Sequence, residues 1–209
     1  MSTCKVTNRP ISEITAGIRA QYNLKSNAHL LLTIEEVQFI VEKLARNIEN
    51  HYKDIVTESN PLYIVGLLTG AYHIVSDITR RLSIPVRVSF IKVSSYQGTE
   101  QQDAKITGVT DEIRSAENVL IVDELWDTGN SVLAVQKLLK GGEICVAFAK
   151  DMGAVGTVKF LGNASLPDIW LLGYGLDCNG YGRNWPCVVY LNDQELAAVA
   201  QFRRELAIE

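Results

Sequence analysis

Val119-Leu120-Ile121-Val122-Asp123-Glu124-Leu125-Trp126-Asp127-Thr128-Gly129-Asn130-Ser131-Val132 is the most informative stretch of this 209-residue chain. Val119 to Val122 are apolar and mostly β-branched, which reads as a buried strand. Two adjacent acids follow, then a third, and then small and hydroxyl-bearing residues lead into helical spacing. The small residues let backbone amides approach an anion, the hydroxyls of Thr128 and Ser131 add donors, and a helix starting there adds the positive end of its dipole. The turn Thr128-Gly129-Asn130-Ser131 is therefore expected to cradle a phosphate. Asp123 and Glu124 beside it are acceptors suited to sugar hydroxyls or to a hard cation with oxygen ligands. Asp127 stands closer to the turn, within reach of a base carried above the sugar.

On either side, strand and helix patterns alternate. Upstream, Thr33 with Glu36 is a capping-box signature, and Ile34, Val37, Val41, Leu44 and Ile48 recur at helical spacing. Leu62 to Leu68 reads as a buried strand, 72 to 82 as a helix, and the alternating, β-branched residues 84 to 93 as a further strand. The polar stretch from Ser94 to Thr110 has little to bury and is expected to be a mobile loop. Downstream, a helix over 131 to 140 ends at Gly141-Gly142, Ile144 to Ala149 is another strand, and Asp193 to Leu206 has the spacing of a terminal amphipathic helix. The order predicts an α/β fold with a mostly parallel sheet flanked by helices. In such sheets ligands bind outside the carboxyl ends of the strands, where the polar residues of 123 to 131 fall.

Composition narrows the partners. With 47% hydrophobic and 21% charged residues the chain can bury a full core as one domain with a small lobe. A formal net charge of -4 and the lack of any Lys/Arg cluster argue against a nucleic-acid surface, which needs a basic footprint. No apolar run approaches the roughly 20 residues that span a bilayer, and Met1-Ser2-Thr3-Cys4-Lys5 does not open a secretory signal, so a cytoplasmic protein without membrane contact is expected. Cys4, Cys145, Cys178 and Cys187 form no CxxC pair, so reduced thiols are expected, Cys145 as a core residue. His29, His51 and His73 stand apart from these motifs and read as surface or helix residues.

Two acids after four apolar residues, followed by Asp127-Thr128-Gly129 and a hydroxyl residue, resemble the phosphoribosyl pyrophosphate signature of type I phosphoribosyltransferases. The resemblance is greatest to the hypoxanthine-guanine branch and extends over roughly residues 30 to 192. It implies that Asp123 and Glu124 contact the ribose hydroxyls directly or through Mg²⁺, that Asp127 lies near purine N7 as proton acceptor or donor, and that Thr128, Gly129, Asn130 and Ser131 hold the 5-phosphate. Thr69-Gly70 falls on the pyrophosphate loop, where Thr69 replaces the usual Lys or Arg, and Ser95-Tyr96 resembles the pair on the flap. Lys150, directly after the strand 144 to 149, matches the Lys that donates to purine O6.

The stretch Ile169 to Asp177 resembles the family's hydrophobic strand ending in G-Y-x-L-D. It implies that Trp170 stacks on the base, that Leu171 supplies backbone contacts to the pyrimidine edge, and that Asp177 joins a second Mg²⁺ site through water. Arg183 follows at the spacing of a pyrophosphate Arg. Tyr181 is compatible with the family, whereas Gly180 and Gly182 replace larger residues.

The resemblance thus implies the type I phosphoribosyltransferase fold with a small hood. Residues 1–29 would be an N-terminal arm or partial hood, 30–192 the phosphoribosyltransferase domain and 193–209 a C-terminal helix. The implied function is purine salvage, with phosphoribosyl pyrophosphate and a 6-oxopurine as substrates, Mg²⁺ as cofactor, and a homodimer or homotetramer as the assembly. A xanthine-preferring transferase and a non-catalytic sensor of phosphoribosyl pyrophosphate are the alternatives. A receiver-like phosphoacceptor domain also places acids after a parallel strand, but it needs neither Asp127-Thr128-Gly129-Asn130-Ser131 nor the 173–177 segment.

Overall fold

A computed structural model describes residues 9–10, 29–94, 105–150, 154–163, 166, 170–178 and 180–190. The elements run β1 (Arg9–Pro10), β2 (His29–Leu32), α1 (Ile34–Tyr52), β3 (Leu62–Leu68), α2 (Tyr72–Thr79), β4 (Val86–Ser94) and β5 (Lys105–Thr107). They continue with α3 (Asp111–Ser115), β6 (Val119–Trp126), α4 (Asn130–Leu138), β7 (Glu143–Ala149), β8 (Phe160–Asn163), β9 (Leu171–Leu172) and β10 (Val188–Tyr190). The chain forms two compact units, Ile40–Leu166 and Met1–Phe39 with Pro167–Glu209.

The first unit holds a six-stranded sheet in the order β5-β4-β3-β6-β7-β8, parallel except for β5, which pairs antiparallel with β4. Strands β3 and β7 are buried almost throughout, as expected of a parallel sheet covered on both faces. Val65, Leu67, Ile121 and Val146 share one buried cluster with Val132 and Val135 of α4 and Ile113 of α3. On the alternate positions of β3, Val75 of α2 closes on Gly66. Each fully buried Val, Ile or Leu contributes about 1.5–3 kcal/mol of burial free energy. The strand order matters for function. β3 connects onward to β4 on one side and β6 to β7 on the other, so the crevice between β3 and β6 is the switch point where open α/β sheets bind ligands.

Helix α1 starts as its sequence predicts. The Thr33 N–H donates to Glu36 Oε2 at 2.7 Å, and the Glu36 N–H donates to Thr33 Oγ1 at 3.1 Å. Val37, Val41, Leu44 and Ile48 are fully buried, while Ile34 is half-buried. Helix α2 is shorter than the predicted 72 to 82, because after Thr79 the chain winds into tighter turns through the bonds Arg81 N–H to Ile78 O and Leu82 N–H to Thr79 O.

The stretch Ser94 to Thr110, predicted to be a loop, differs more. Ser94 ends β4, Lys105–Thr107 pairs back onto it as β5, and the Thr110 hydroxyl accepts from the Ile113 N–H to cap α3. Ile106 packs partly buried against the central cluster. Three strand residues are too few to display an alternation, and the same shortness hid α3 and β8. Residues 95–104 of that stretch, and the predicted terminal helix from Asp193, lie outside the described residues.

The second unit holds an antiparallel sheet in the order β1-β2-β10-β9, so strands from both ends of the chain share one sheet. Leu31, Leu32, Leu171, Leu172, Val188 and Val189 are buried. Cys145, Cys178 and Cys187 are buried thiols outside any disulfide, and burial pushes the Cys145 thiol well up and the Cys187 thiol up to about 11, so both stay protonated. No helix among the described residues is long and apolar enough to cross a membrane.

Candidate active site

Strand β6 changes character along its length. Val119 to Val122 are buried, Asp123, Glu124 and Leu125 are partly exposed, and Trp126 is buried again. Asp127, Thr128, Asn130 and Ser131 then lie exposed around a buried Gly129. Gly129 is the N-cap of α4 at φ 75°, a left-handed conformation that glycine adopts without the Cβ penalty, and no side chain caps the helix there. The Asn130 N–H meets Thr128 Oγ1 only at a long 3.5 Å, so the start of α4 can still take an external acceptor, which is the condition for anion binding at a helix N-terminus. Asp123 Oδ1 accepts from the Glu124 N–H at 3.0 Å.

The turn after β3 comes to the same place. Its Leu68–Thr69 peptide is cis, Thr69 is exposed and Gly70 is buried. A Cβ added at Gly70 would overlap the Glu124 carboxylate, so this turn rests directly on the acidic pair across the switch point. Only glycine allows that approach. Lys150, partly buried at the end of β7, joins them through its backbone, whose N–H donates to Trp126 O at 3.1 Å. Thr69, Gly70, Asp123, Glu124, Asp127, the 128–131 turn and Lys150 therefore gather at the carboxyl ends of β3, β6 and β7.

The second unit brings together the other predicted residues. Trp170 is 51% exposed, and its indole N–H donates to Asp177 O at 3.1 Å. Leu171 is buried within β9. The Asp177 carboxylate meets the Arg183 guanidinium at 2.7 Å and accepts from the Gly180 N–H at 2.5 Å, while Arg183 also donates to Gly175 O at 2.6 Å. Asp177 and Arg183, read separately from the sequence as metal and pyrophosphate groups, thus form one bonded cluster around a tight turn. Tyr181 is exposed. Ser95 and Tyr96 lie outside the described residues.

Two contacts had no sequence signal. Nothing in the order of residues announces that Gly70 touches Glu124, and nothing distinguishes Trp126 from an ordinary core residue. Its ring nevertheless lies against Gly129.

Comparisons with known proteins give the family and the fold. Residues 31–152, more than half of the chain, match the phosphoribosyl transferase domain. The hypoxanthine-guanine phosphoribosyltransferase of Aquifex aeolicus is 35% identical over 178 residues, covering 78% of this chain and 94% of that one. The hypoxanthine phosphoribosyltransferase of Salmonella typhimurium is 30% identical over 174 residues, covering 79% and 96%. Among solved structures, the hypoxanthine phosphoribosyl transferase of Trypanosoma cruzi superposes with a TM-score of 0.77 at 24% identity, covering 85% of this chain and 98% of that one, a likeness of fold. With the domain match, these identities and the strand-end cluster in agreement, the chain belongs to the type I phosphoribosyltransferases, in the hypoxanthine-guanine phosphoribosyltransferase family.

Proposed function

We propose that this protein transfers the 5-phosphoribosyl group of phosphoribosyl pyrophosphate to N9 of hypoxanthine and/or guanine, releasing pyrophosphate. The observation that carries this reading is the meeting of three loops at the switch point. Gly70 lies against Glu124, and Lys150 is tied to the strand end that opens the phosphate turn.

In this reading the uncapped start of α4 and the hydroxyls of Thr128 and Ser131 hold the 5-phosphate. Asp123 and Glu124 accept from the ribose hydroxyls, and the Thr69-Gly70 turn faces the pyrophosphate. The purine N9 attacks C1 with inversion as the C1–O bond to pyrophosphate breaks, and Asp127 takes up the N7 proton. Lys150 donates to O6. Adenine offers a donor at that position, and leaving both groups unpaired costs about 1–3 kcal/mol. The roles given to Trp170 on the base, Leu171 at its pyrimidine edge, Asp177 in a second magnesium site and Arg183 on the pyrophosphate rest on the family resemblance.

Magnesium suits the donors present. Asp123 and Glu124 offer hard carboxylate oxygens, and no group of three His, Cys, Asp or Glu among the described residues forms a protein cage. Such a donor set fits an ion that keeps waters and takes substrate phosphate oxygens. Bound there, it would neutralise charge on the leaving pyrophosphate. The resemblance carries with it a homodimer or homotetramer.

A pyrophosphate-release assay with phosphoribosyl pyrophosphate, Mg²⁺ and hypoxanthine, guanine, xanthine or adenine tests the reading. Release with hypoxanthine or guanine is expected. Release with none of the four bases overturns it, and release with xanthine alone replaces the base assignment.

A further inference from the structure

The sequence turns from strand to helix in very few residues, with Asp127, Thr128 and Gly129 between β6 and α4. Within the turn itself the Asn130 N–H donates to Thr128 Oγ1 only at a long 3.5 Å, so it is braced little from within. Asp127 and Thr128 are exposed, and Gly129 has no side chain. The support comes from beneath, where Trp126 is only 4% exposed although its successors face solvent. A Cβ added at Gly129 would stand 2.7 Å from Trp126 Cε2 and Cη2, far inside van der Waals contact, so the indole edge lies directly under the glycine. The same ring belongs to the buried cluster that holds Val132 and Val135 of α4 and Ala149 at the end of β7. The carbonyl of Trp126 receives the Lys150 N–H at 3.1 Å.

One residue therefore touches both ends of the surface that a nucleoside monophosphate would occupy in this unit. Its ring underlies the phosphate turn, and its backbone anchors the strand end that carries Lys150. An indole has two side-chain torsions and a flat, rigid body, so little freedom is lost when it is used as a platform. A smaller side chain would leave the turn free to sink by the thickness it vacates. We propose that Trp126 is a positioning residue, which sets the height of the 128–131 amides relative to Lys150 and so presets the site for the 5-phosphate. This rests on the reading of that turn as the phosphate cradle.

The test compares Trp126→Phe, Trp126→Leu and Ile144→Ala. Ile144 lies in the same cluster at the amino end of β7 and controls for core loss alone. Binding of phosphoribosyl pyrophosphate with Mg²⁺ is measured by calorimetry without a base, alongside KM, kcat and Tm. Trp126→Leu should weaken binding and raise KM for phosphoribosyl pyrophosphate by about tenfold or more, since small misplacements of binding groups are costly. Trp126→Phe, which keeps a flat ring, should stay within about threefold of the wild type. Ile144→Ala should lower Tm but leave that KM unchanged.

Equal KM changes in Trp126→Leu and Ile144→Ala, or none in Trp126→Leu, overturn the proposal. Gly129→Ala offers a second arm, because its methyl is driven into the ring. Combining it with Trp126→Leu should recover part of the lost binding, and losses that simply multiply count against the contact. A wild-type protein that binds phosphoribosyl pyrophosphate but turns over no purine sinks the functional reading while the binding arms still judge Trp126.

Discussion

Helices α1 and α4 begin in opposite ways. α1 is closed by its own side chains, with Thr33 and Glu36 each satisfying the other's backbone N–H. α4 begins at Gly129, which offers no side-chain cap, with only a long 3.5 Å bond from the Asn130 N–H to Thr128 Oγ1 and exposed residues around it. A helix needs its first amides satisfied, so an end that the chain closes serves stability and an end that it leaves open awaits a ligand. The two ends of β7 differ in their surroundings as well. At the amino end Glu143 is matched by the Tyr52 hydroxyl at 2.5 Å, His51 at 3.1 Å and Lys159 at 3.2 Å. At the carboxyl end stands Lys150, beside exposed polar turns.

The largest effect should come from the open end. Asp127→Asn keeps the shape of the side chain but cannot take up a proton, so kcat should fall at least about a hundredfold with Tm unchanged. Steady-state kinetics and a melting curve decide it, and near-normal turnover would remove Asp127 from the proton transfer.

Lys150→Met sharpens the same end by base. Catalytic efficiency for hypoxanthine and guanine should drop by about tenfold to a hundredfold while poor use of adenine stays as it is, because only the 6-oxopurines lose an acceptor's partner. An equal drop for all three bases would make Lys150 structural.

Thr33→Ala opens the closed end. The lost cap should cost about 0.5–2 kcal/mol, and thus a few degrees in Tm, with kcat unaltered. A fall in kcat without a fall in Tm would break the contrast between the two helix starts.

The smallest effect concerns Glu143. Burial by itself raises its pKa, but the hydrogen bonds from Tyr52 and Lys159 together with the charges of His51 and Lys159 outweigh burial and hold it below the ordinary glutamate value. Its ionised form is thus favoured in the folded state. The stability it adds is full above the unfolded value of about 4.3 and is lost as pH falls below that, through the lower folded value. The cluster is about a third exposed, so solvent screening keeps the effect small. Melting curves from pH 6 to 3 should show a steeper decline for the wild type than for Glu143→Gln, and identical slopes would show the matching to be without consequence.

Much of this protein is written in short-range chemistry. The box at Thr33 and Glu36, the apolar strand 119 to 122, the acids after it and the Gly129 turn are set by neighbours a few residues apart, so a linear reading finds them. The brief elements β5, α3 and β8 escape such a reading because three to five residues cannot complete a recognisable period. Strand order is a different matter. That β3 lies beside β6, so that Gly70 meets Glu124 across more than fifty residues of chain, depends on which faces bury one another throughout the sheet. The same holds for β2 and β10, which join the two ends of the chain, and for Trp126, whose ring lies beneath Gly129 because the cluster of α4 and β7 leaves it that space. Hydrogen-bond spacing and turn geometry act locally, whereas packing is a sum over the whole core, and only the folded chain performs that sum.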